Sequence, residues 1–286
     1  MKRYLDPKND LVFKRVFGEH PDILRAFLNA TLPLGPDEKI VSLVYLPPEQ
    51  TPEVPHLKHS IVDIRCKDHQ GRQFIVEMQM QWSAASLQRV LYNVSKAYVR
   101  QLERGESYNT LEPVIGLSLL NDVFDNNRSS YYHHYKMLNI DDIKREIRDL
   151  QLVFIELPKF NPPGELITEL DAWLHYLRKT GQQEKAPEEL ALRGGEIKQA
   201  LELAESTGYT PEEMYVYDKY WDNVSIEKTL IAGGMTLGKE EGIKIGLEQG
   251  IEKGIEQGLQ TALQLMLANG ISEAQARDIL KMNPLP

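Results

Sequence analysis

The sequence predicts an α/β core followed by an α-helical C-terminal region. Before about residue 160, segments in which apolar residues alternate with period two are interspersed with helix-like segments. After about residue 164 the pattern is helical and the chain is acidic. Residues 1–150 hold 20 Lys and Arg and 20 Asp and Glu, so the whole net charge of −9 falls after position 150. We therefore predict three regions, with the bounds 1–163, 164–234 and 235–286.

The N-terminal segment DPKNDLVFKRVFG predicts a short amphipathic helix. Asp6 is the expected N-cap, Pro7 suits the first turn, and Gly18 lies at the exit. Phe13 and Phe17 fall on one face because they are four residues apart. The next segments, HPDILRAFLNATL and KIVSLVYLPPE, predict a second helix and a strand that ends at two prolines.

The segment IVDIRCKDHQGRQFIVEMQMQ, residues 61–81, predicts a β-hairpin. DHQGR is its turn, in which Gly71 can take a positive φ. The period of two places Glu77 and Gln79 side by side on the polar face, and Asp63 reaches the same end of the hairpin. The apolar face is predicted to hold Val62, Ile64, Cys66, Phe74, Val76, Met78 and Met80.

Two carboxylates lie within these apolar strands. An unpaired buried charge is expensive, so such acids are paired, exposed or bound to a metal. Asp63, Glu77 and the backbone carbonyl of Met78 form an all-oxygen set suited to Mg²⁺ or Mn²⁺. The alternative is a solvent-facing hairpin whose acids pair with Arg65 or Arg72.

Residues 83–104 predict a long helix that ends at Gly105. Between residues 58 and 104 there are eight basic residues and four acidic ones, a local field that suits a polyanion. The helix would aim Arg89 and Lys96 at phosphate oxygens, with Tyr92 positioning a ligand or a base. The alternative is an ordinary solvated face. The polar face also holds Gln88, and the apolar face is predicted to hold Leu87, Leu91, Val94 and Tyr98.

Three later segments, EPVIGLSLLND, SSYYHHYKML and LQLVFIELPKF, predict further strands. His133 and His134 are adjacent in such a strand, so their rings face opposite sides and form no common metal site. Cys66 is expected to be a buried thiol. Three tryptophans are expected to be packing residues: Trp82, Trp173 and Trp221.

A glycine recurs at every fourth position from Gly238 to Gly258. In a helix these glycines form a bare stripe along which two backbones can approach closely. We expect copies of the chain to associate through this tail into a homo-oligomer; the alternative is a mobile, solvated extension. The segment ISEAQARDILKMNP predicts one more short helix, with Ser272 as its cap.

Several classes of protein are not supported. No run of about 18 apolar residues is present, so no membrane span is expected. The first residues lack the apolar core of a signal peptide, and a cytoplasmic location is therefore expected. No GxxxxGK[ST] motif occurs, so no nucleotide cofactor is expected.

Taken in order, three segments resemble the Rpn (recombination-promoting nuclease, transposase) family of the PD-(D/E)xK nuclease superfamily. They are KNDLVFKRVFG, HSIVDIRCKDHQGRQFIVEMQMQ and QRVLYNVSKAYVRQLERGESYNTLEPVIGLSLLN. The resemblance covers roughly residues 4–160, and the glycine-rich tail is also similar to C-termini in that family. It implies a restriction-endonuclease-like core, with a mixed central sheet flanked by helices in the order αβββαβ.

The resemblance also implies an activity: Mg²⁺-dependent endonucleolytic cleavage of DNA by a metal-activated water, which promotes recombination. Asp63 and Glu77 match the metal-binding acids of the family, and Asp10 matches a recurrent acid that supports the site. Gln79 stands where the superfamily has a lysine. Either Gln79 orients the water, or a cation such as Lys96 supplies the missing charge from the helix.

Two other functions stay open from the sequence. A neutral amide at Gln79 can only hydrogen-bond, so the chain can also be a catalytically weak or inactive nuclease-fold protein. Such a protein would bind DNA and assemble through its tail. The other is a transposase that performs strand transfer. This alternative is weaker because only one acidic cluster is present.

Overall fold

The computed structural model describes residues 3–50, 60–83, 85–161, 166–181 and 183–281 of the chain. Within these residues, six strands form a mixed sheet, and two short strands pair separately. The strands are β1 (Leu43–Leu46), β2 (Glu49–Gln50), β3 (Ser60–Ile61), β4 (Ile64–Asp68), β5 (Gln73–Gln79), β6 (Val114–Leu120), β7 (Tyr132–Leu138) and β8 (Glu146–Glu156).

The α-helices of the described residues precede, cross and follow this sheet. They are α1 (Asp10–Phe13), α2 (Pro21–Thr31), α3 (Ser86–Val99), α4 (Glu169–Lys179), α5 (Glu188–Ala191), α6 (Gly195–Leu203), α7 (Pro211–Ala268) and α8 (Glu273–Ile279). A π-helical turn, Lys14–Gly18, continues α1.

The strand order of the six-stranded sheet is β1-β4-β5-β6-β8-β7. β4 runs antiparallel to β1 and β5, and β7 runs antiparallel to β8. β5, β6 and β8 are parallel to one another. A parallel pair needs a crossover connection, and α3 provides it between β5 and β6. The strands and the mixed sheet that the sequence predicts are therefore confirmed.

One face of the sheet carries the main hydrophobic core, against α1, α2, α4 and α6. Phe17 lies at its centre, with ring centroids 5.0 Å from Phe13, 4.7 Å from Phe27 and 5.8 Å from Trp173. Phe13 and Phe17 share one face, as their spacing predicts. Residues of α4, α5 and α6 lie in this core, so the chain just after residue 163 packs in the same core as the sheet. The predicted three-region division stays a prediction.

The opposite face of the sheet is covered by α3. Val90 and Val94 of α3 pack with Ile75 and Phe154 of the sheet. Gly116 lies under the helix, and a Cβ built there would lie only 2.6 Å from Cγ2 of Val94. A glycine at this position therefore lets α3 approach the sheet closely enough for its side chains to reach β5.

The buried face of α3 differs from the prediction, and so do its ends. Ser86–Val99 is shorter than residues 83–104, although Gly105 does take a positive φ of 94°. Leu87 and Leu91 are 41% and 47% exposed. Val94 is buried as predicted, and Tyr98 packs partly buried against the same cluster. The other buried residues are smaller and fit the close approach over Gly116: Ser86, Val90, Asn93 and Ala97.

The N-cap of the first helix is Asn9, so the prediction of Asp6 is wrong. The side chain of Asn9 accepts a hydrogen bond from the backbone nitrogen of Leu11. Asp6 instead closes the preceding turn, because its Oδ1 accepts from the backbone nitrogen of Lys8 at 2.9 Å. Aspartate and asparagine are both favoured N-cap residues. Here Asp6 is used in the turn that precedes the helix, so Asn9, three residues later, is the cap.

The predicted alternation of the hairpin holds from Ile64 onward. Ile64 and Cys66 lie in the main core, and the Cys66 thiol is buried as expected. Val62 packs on the α3 side instead, because a bend at Asp63 interrupts the alternation just before β4 begins. The one-sided placement predicted for Val62 is therefore wrong.

The chain divides into two compact units, Met1–Val224 and Ser225–Pro286. In the second unit, the segment with a glycine at every fourth position is helical, as predicted. At each glycine from Gly238 to Gly258, no neighbouring atom of the described residues lies within 4 Å of the position that a Cβ would take. Ser272 is the N-cap of α8. None of the described helices is both long and apolar enough to cross a membrane.

Candidate active site

Asp63 lies at the bend where the pairing of β4 and β5 ends. The last paired residues are Ile64 and Val76. Beyond them, Oδ2 of Asp63 accepts a hydrogen bond of 2.7 Å from the backbone nitrogen of Met78. The carboxylate thus takes the place of a strand carbonyl, and it lies close enough to Glu77 for its charge to act on that acid.

Glu77 is held by two amide side chains and is 5% exposed. Its Oε1 accepts a hydrogen bond of 3.0 Å from Nδ2 of Asn93, which reaches it from α3. Its Oε2 accepts one of 3.0 Å from Nε2 of Gln79, two residues along β5. Oε1 of Gln79 in turn accepts a hydrogen bond from the guanidinium of Arg89. A chain of contacts therefore joins Arg89, through Gln79, to the buried carboxylate.

The pKa of the Asp63 carboxyl is raised from 3.8 to about 6. Burial is the largest cause, and the negative charge of Asp10 adds to it. The hydrogen bond from Met78 and the charges of Lys14 and Arg89 act in the opposite direction. Without a cation, the carboxyl group of Asp63 is therefore protonated more readily at this site than the same group is in water.

The pKa of the Glu77 carboxyl is raised from 4.5 to about 7, again first by burial and then by the charge of Asp63. The hydrogen bonds from Asn93 and Gln79 and the charge of Arg89 offset part of this effect. A half-buried and a buried carboxylate with raised pKa values, the first of which raises the pKa of the second, form a site that a cation would stabilise.

The donor set fits a hydrated divalent cation. Among the described residues, no three His, Cys, Asp or Glu side chains group closely enough to hold a metal ion alone. Mg²⁺ needs no such cage, because it is bound by one or two carboxylates and keeps several waters. Met78 adds a carbonyl, which points to the side of Asp63 because N–H and C=O of one strand residue share a direction. Oδ1 of Asn93 is a buried acceptor without a hydrogen-bond partner in the described part of the chain.

The proposed supporting residues differ in how they act on the two acids. Asp10 lies close enough to influence Asp63, and it forms an ion pair of 2.9 Å with Lys14. Arg89 acts on both carboxylates. Lys96 lies about two turns further along α3, with Nζ 5.7 Å from the ring centroid of Tyr92. Its role at the site stays a prediction.

The alternative in which the acids pair with nearby arginines is wrong. The guanidinium of Arg65 donates to Oε1 of Gln73 at 2.9 Å. Arg72 forms a buried ion pair with Asp68 at 2.7 Å. Both arginines therefore contact other groups of the hairpin. Glu77 instead accepts hydrogen bonds from two side-chain amides, and Arg89 lowers the pKa of both acids.

Asn93 is the site residue that the sequence reading missed. It stands among Val90, Val94 and Ala97 on the stripe of α3 that faces the sheet. A polar residue within an apolar helical stripe was the available signal, since it needs a partner when buried. The adjacent histidines also behave as predicted, because they contact different partners: His133 reaches Glu156 and His134 reaches Gln151.

A family model described as PD-(D/E)XK nuclease family transposase matches residues 7–229, well over half of the chain. The chain belongs to this family. The family predicted from the motifs is therefore confirmed, and this transposase-type nuclease has the α/β restriction-endonuclease-like fold that the family implies. Nucleases of the PD-(D/E)XK type typically use divalent metal ions. No curated protein and no solved structure matches the chain.

Proposed function

We propose that the chain is a Mg²⁺-dependent DNA endonuclease, for which Mn²⁺ can replace Mg²⁺. The observation that carries the proposal is the pair of carboxylates, half-buried Asp63 and buried Glu77, at the end of the pairing between β4 and β5. Both acids have a raised pKa, and neither has an ion-pair partner in the described residues. Their burial costs free energy that binding of a cation would recover.

Each residue of this site has a separate task in the proposal. The carboxylates of Asp63 and Glu77 and the carbonyl of Met78 hold the cation. The chemistry supplied by bound Mg²⁺ or Mn²⁺ is polarisation of the phosphodiester and a lower pKa for the attacking water. Asp10 supports the site by its charge on Asp63.

Gln79 stands at the lysine position of the superfamily, and its contacts suggest how a neutral amide serves there. Its nitrogen donates to Glu77 and its oxygen accepts from Arg89. Gln79 therefore orients Glu77 and keeps the charge of Arg89 beside the site, while its second N–H can orient water. Tyr92 and Lys96, further along the same helix, contact the phosphate backbone in this proposal.

Two isosteric variants test the proposal. We expect Asp63→Asn and Glu77→Gln to abolish Mg²⁺-dependent nicking of a supercoiled plasmid while the far-UV circular dichroism spectrum stays unchanged. Asp141→Asn, which changes an exposed acid of the loop between β7 and β8, is the matched control and should cut like the parent. The proposal fails if both site variants cut as fast as the parent.

A second candidate is a catalytically weak nuclease-fold protein that binds DNA and assembles through its tail. The observation favouring it is the neutral Gln79, whose oxygen already engages Arg89. Electrophoretic mobility shift with parallel cleavage assays separates the two functions. Binding of DNA without cutting in Mg²⁺ or Mn²⁺ supports the second candidate.

The proposed assembly uses the glycine stripe from Gly238 to Gly258. No atom of the described residues within 4 Å would obstruct a side chain at these positions. A change of Gly246 and Gly250 to leucine should therefore be tolerated by the isolated helix but prevent close packing of two backbones. Light scattering of the full chain should then show a lower molecular mass than the parent; an unchanged mass contradicts the assembly.

A further inference from the structure

In the side-chain amide of Asn93, the nitrogen has a hydrogen-bond partner and the oxygen has none among the described residues. Asn93 is 3% exposed, and its nitrogen donates to Oε1 of Glu77 at 3.0 Å. Its oxygen, Oδ1, is buried and has no hydrogen-bond partner in the described residues. A buried carbonyl oxygen without a hydrogen-bond partner is destabilising, so its placement here calls for a physical reason.

The orientation of the amide is determined by Glu77. A rotated amide would direct Oδ1 at the Glu77 carboxylate, which is an acceptor like itself. Only the observed orientation gives the carboxylate a donor. Oδ1 is therefore fixed as an acceptor beside Glu77, and it needs a donor that the described protein atoms do not supply.

We propose that Asn93 is a positioning residue with two contacts. Its amide nitrogen orients Glu77, and its Oδ1 accepts a hydrogen bond from a water of the hydration shell of the cation. This inference rests on the proposed function. Mg²⁺ and Mn²⁺ bound by few protein ligands keep several waters, each of which is a donor. Partners of this outer layer typically contribute 10–100-fold to metal affinity.

The close packing of α3 makes this arrangement rigid. Val94, the next residue, packs over Gly116, and Val90 lies one turn earlier on the same stripe. Asn93 therefore enters the site from a packed helix rather than from a loop, and its amide is placed before the cation arrives.

The test measures binding of Mn²⁺ to the full chain by electron paramagnetic resonance of the free ion, without DNA and without turnover. The variants are Asn93→Leu, which keeps the shape and removes both polar contacts, and Asn93→Val, which serves if the leucine variant misfolds. The matched control is Tyr98→Phe, which removes the hydrogen bond from Tyr98 to Asp149 near the end of the same helix but leaves the amide and its packing in place. Proton relaxation enhancement by bound Mn²⁺ reports the exchange of its waters in each protein.

We expect the dissociation constant for Mn²⁺ to rise at least tenfold in the Asn93 variants and the relaxation enhancement per bound ion to change. Tyr98→Phe should lower the melting temperature and leave both metal readouts at the parent values. Binding by an Asn93 variant within twofold of the parent overturns this inference and leaves the proposed function intact. A parent chain that binds no Mn²⁺ overturns both.

Discussion

The backbone nitrogen of Met78 donates a 2.7 Å hydrogen bond to Oδ2 of Asp63. This bond lies one step beyond the last paired residues of β4 and β5, so a side chain completes the hydrogen bonding of the strand. The consequence is that this hydrogen bond fixes the carboxylate of Asp63 to β5, the strand that carries Glu77. The position of Asp63 therefore depends on the edge of the paired strands.

The burial of Glu77 should make the metal-free protein less stable above neutral pH. Its folded pKa of about 7 exceeds the ordinary 4.5, so the folded state binds more protons between these values. The cost is absent below pH 4.5 and fully present above about pH 7. We expect Glu77→Gln to raise the free energy of unfolding by about 1–3 kcal/mol at pH 8 and to leave it unchanged at pH 4. Urea denaturation in EDTA measures both; equal effects at the two pH values contradict the prediction.

Metal affinity should fall as the pH falls, because protons compete with the cation for both acids. The raised pKa values, about 7 for Glu77 and about 6 for Asp63, mean that this loss begins near pH 7 and becomes steeper below about pH 6. Asp10 raises the pKa of Asp63, so Asp10→Asn should move the midpoint for Mn²⁺ binding to lower pH. Asp22→Asn, at an exposed residue of α2, is the control and should leave the midpoint unchanged. Calorimetric titration across this range is the measurement.

Arg89 and Lys96 offer a comparison of equal charge changes at two places on α3. Arg89 lowers the pKa of both acids, whereas Lys96 is not among the groups that shift either one. We therefore expect Arg89→Gln to move the Mn²⁺-binding midpoint to higher pH and Lys96→Gln to leave it in place. Both variants should weaken DNA binding and reduce its salt dependence if both side chains contact phosphates. An equal shift of the midpoint in both variants would show that Arg89 has no special position.

The close contact between α3 and the sheet can be tested at Gly116. A Cβ there would lie 2.6 Å from Cγ2 of Val94 and 3.3 Å from Cδ2 of Leu152. We expect Gly116→Ala to destabilise the protein by about 1–3 kcal/mol and to weaken Mn²⁺ binding, because α3 moves away and takes Asn93 with it. Adding Val94→Ala removes the clash and should restore much of the metal affinity. A double variant as weak as the single one contradicts this coupling.

The sequence predicted the hairpin strands β4 and β5 well because their apolar residues alternate over five or more positions. β5 illustrates this: Phe74 and Val76 enter one core while Ile75 enters the other, as a period of two requires. The predicted face was wrong for Val62, because the chain bends at Asp63 and no local sequence pattern predicts that bend.

The helix over the site shows why burial was harder to predict than secondary structure. Leu87 and Leu91 are more apolar than their neighbours, yet the sheet accepts Val90 and Val94, since only their stripe faces Gly116. The contact of Asn93 with Glu77 joins residues 16 apart in sequence. Such long-range contacts depend on the packing of a helix on a sheet, which hydrophobic periodicity does not specify.

The most direct test uses crystals of the protein soaked in Mn²⁺ and diffraction at a wavelength where Mn²⁺ scatters anomalously. We expect one anomalous peak within coordination distance of carboxylate oxygens from both Asp63 and Glu77, and no peak there in Glu77→Gln crystals. A peak that contacts only one of these acids, or no peak near either in the parent, would contradict a shared divalent cation at this site.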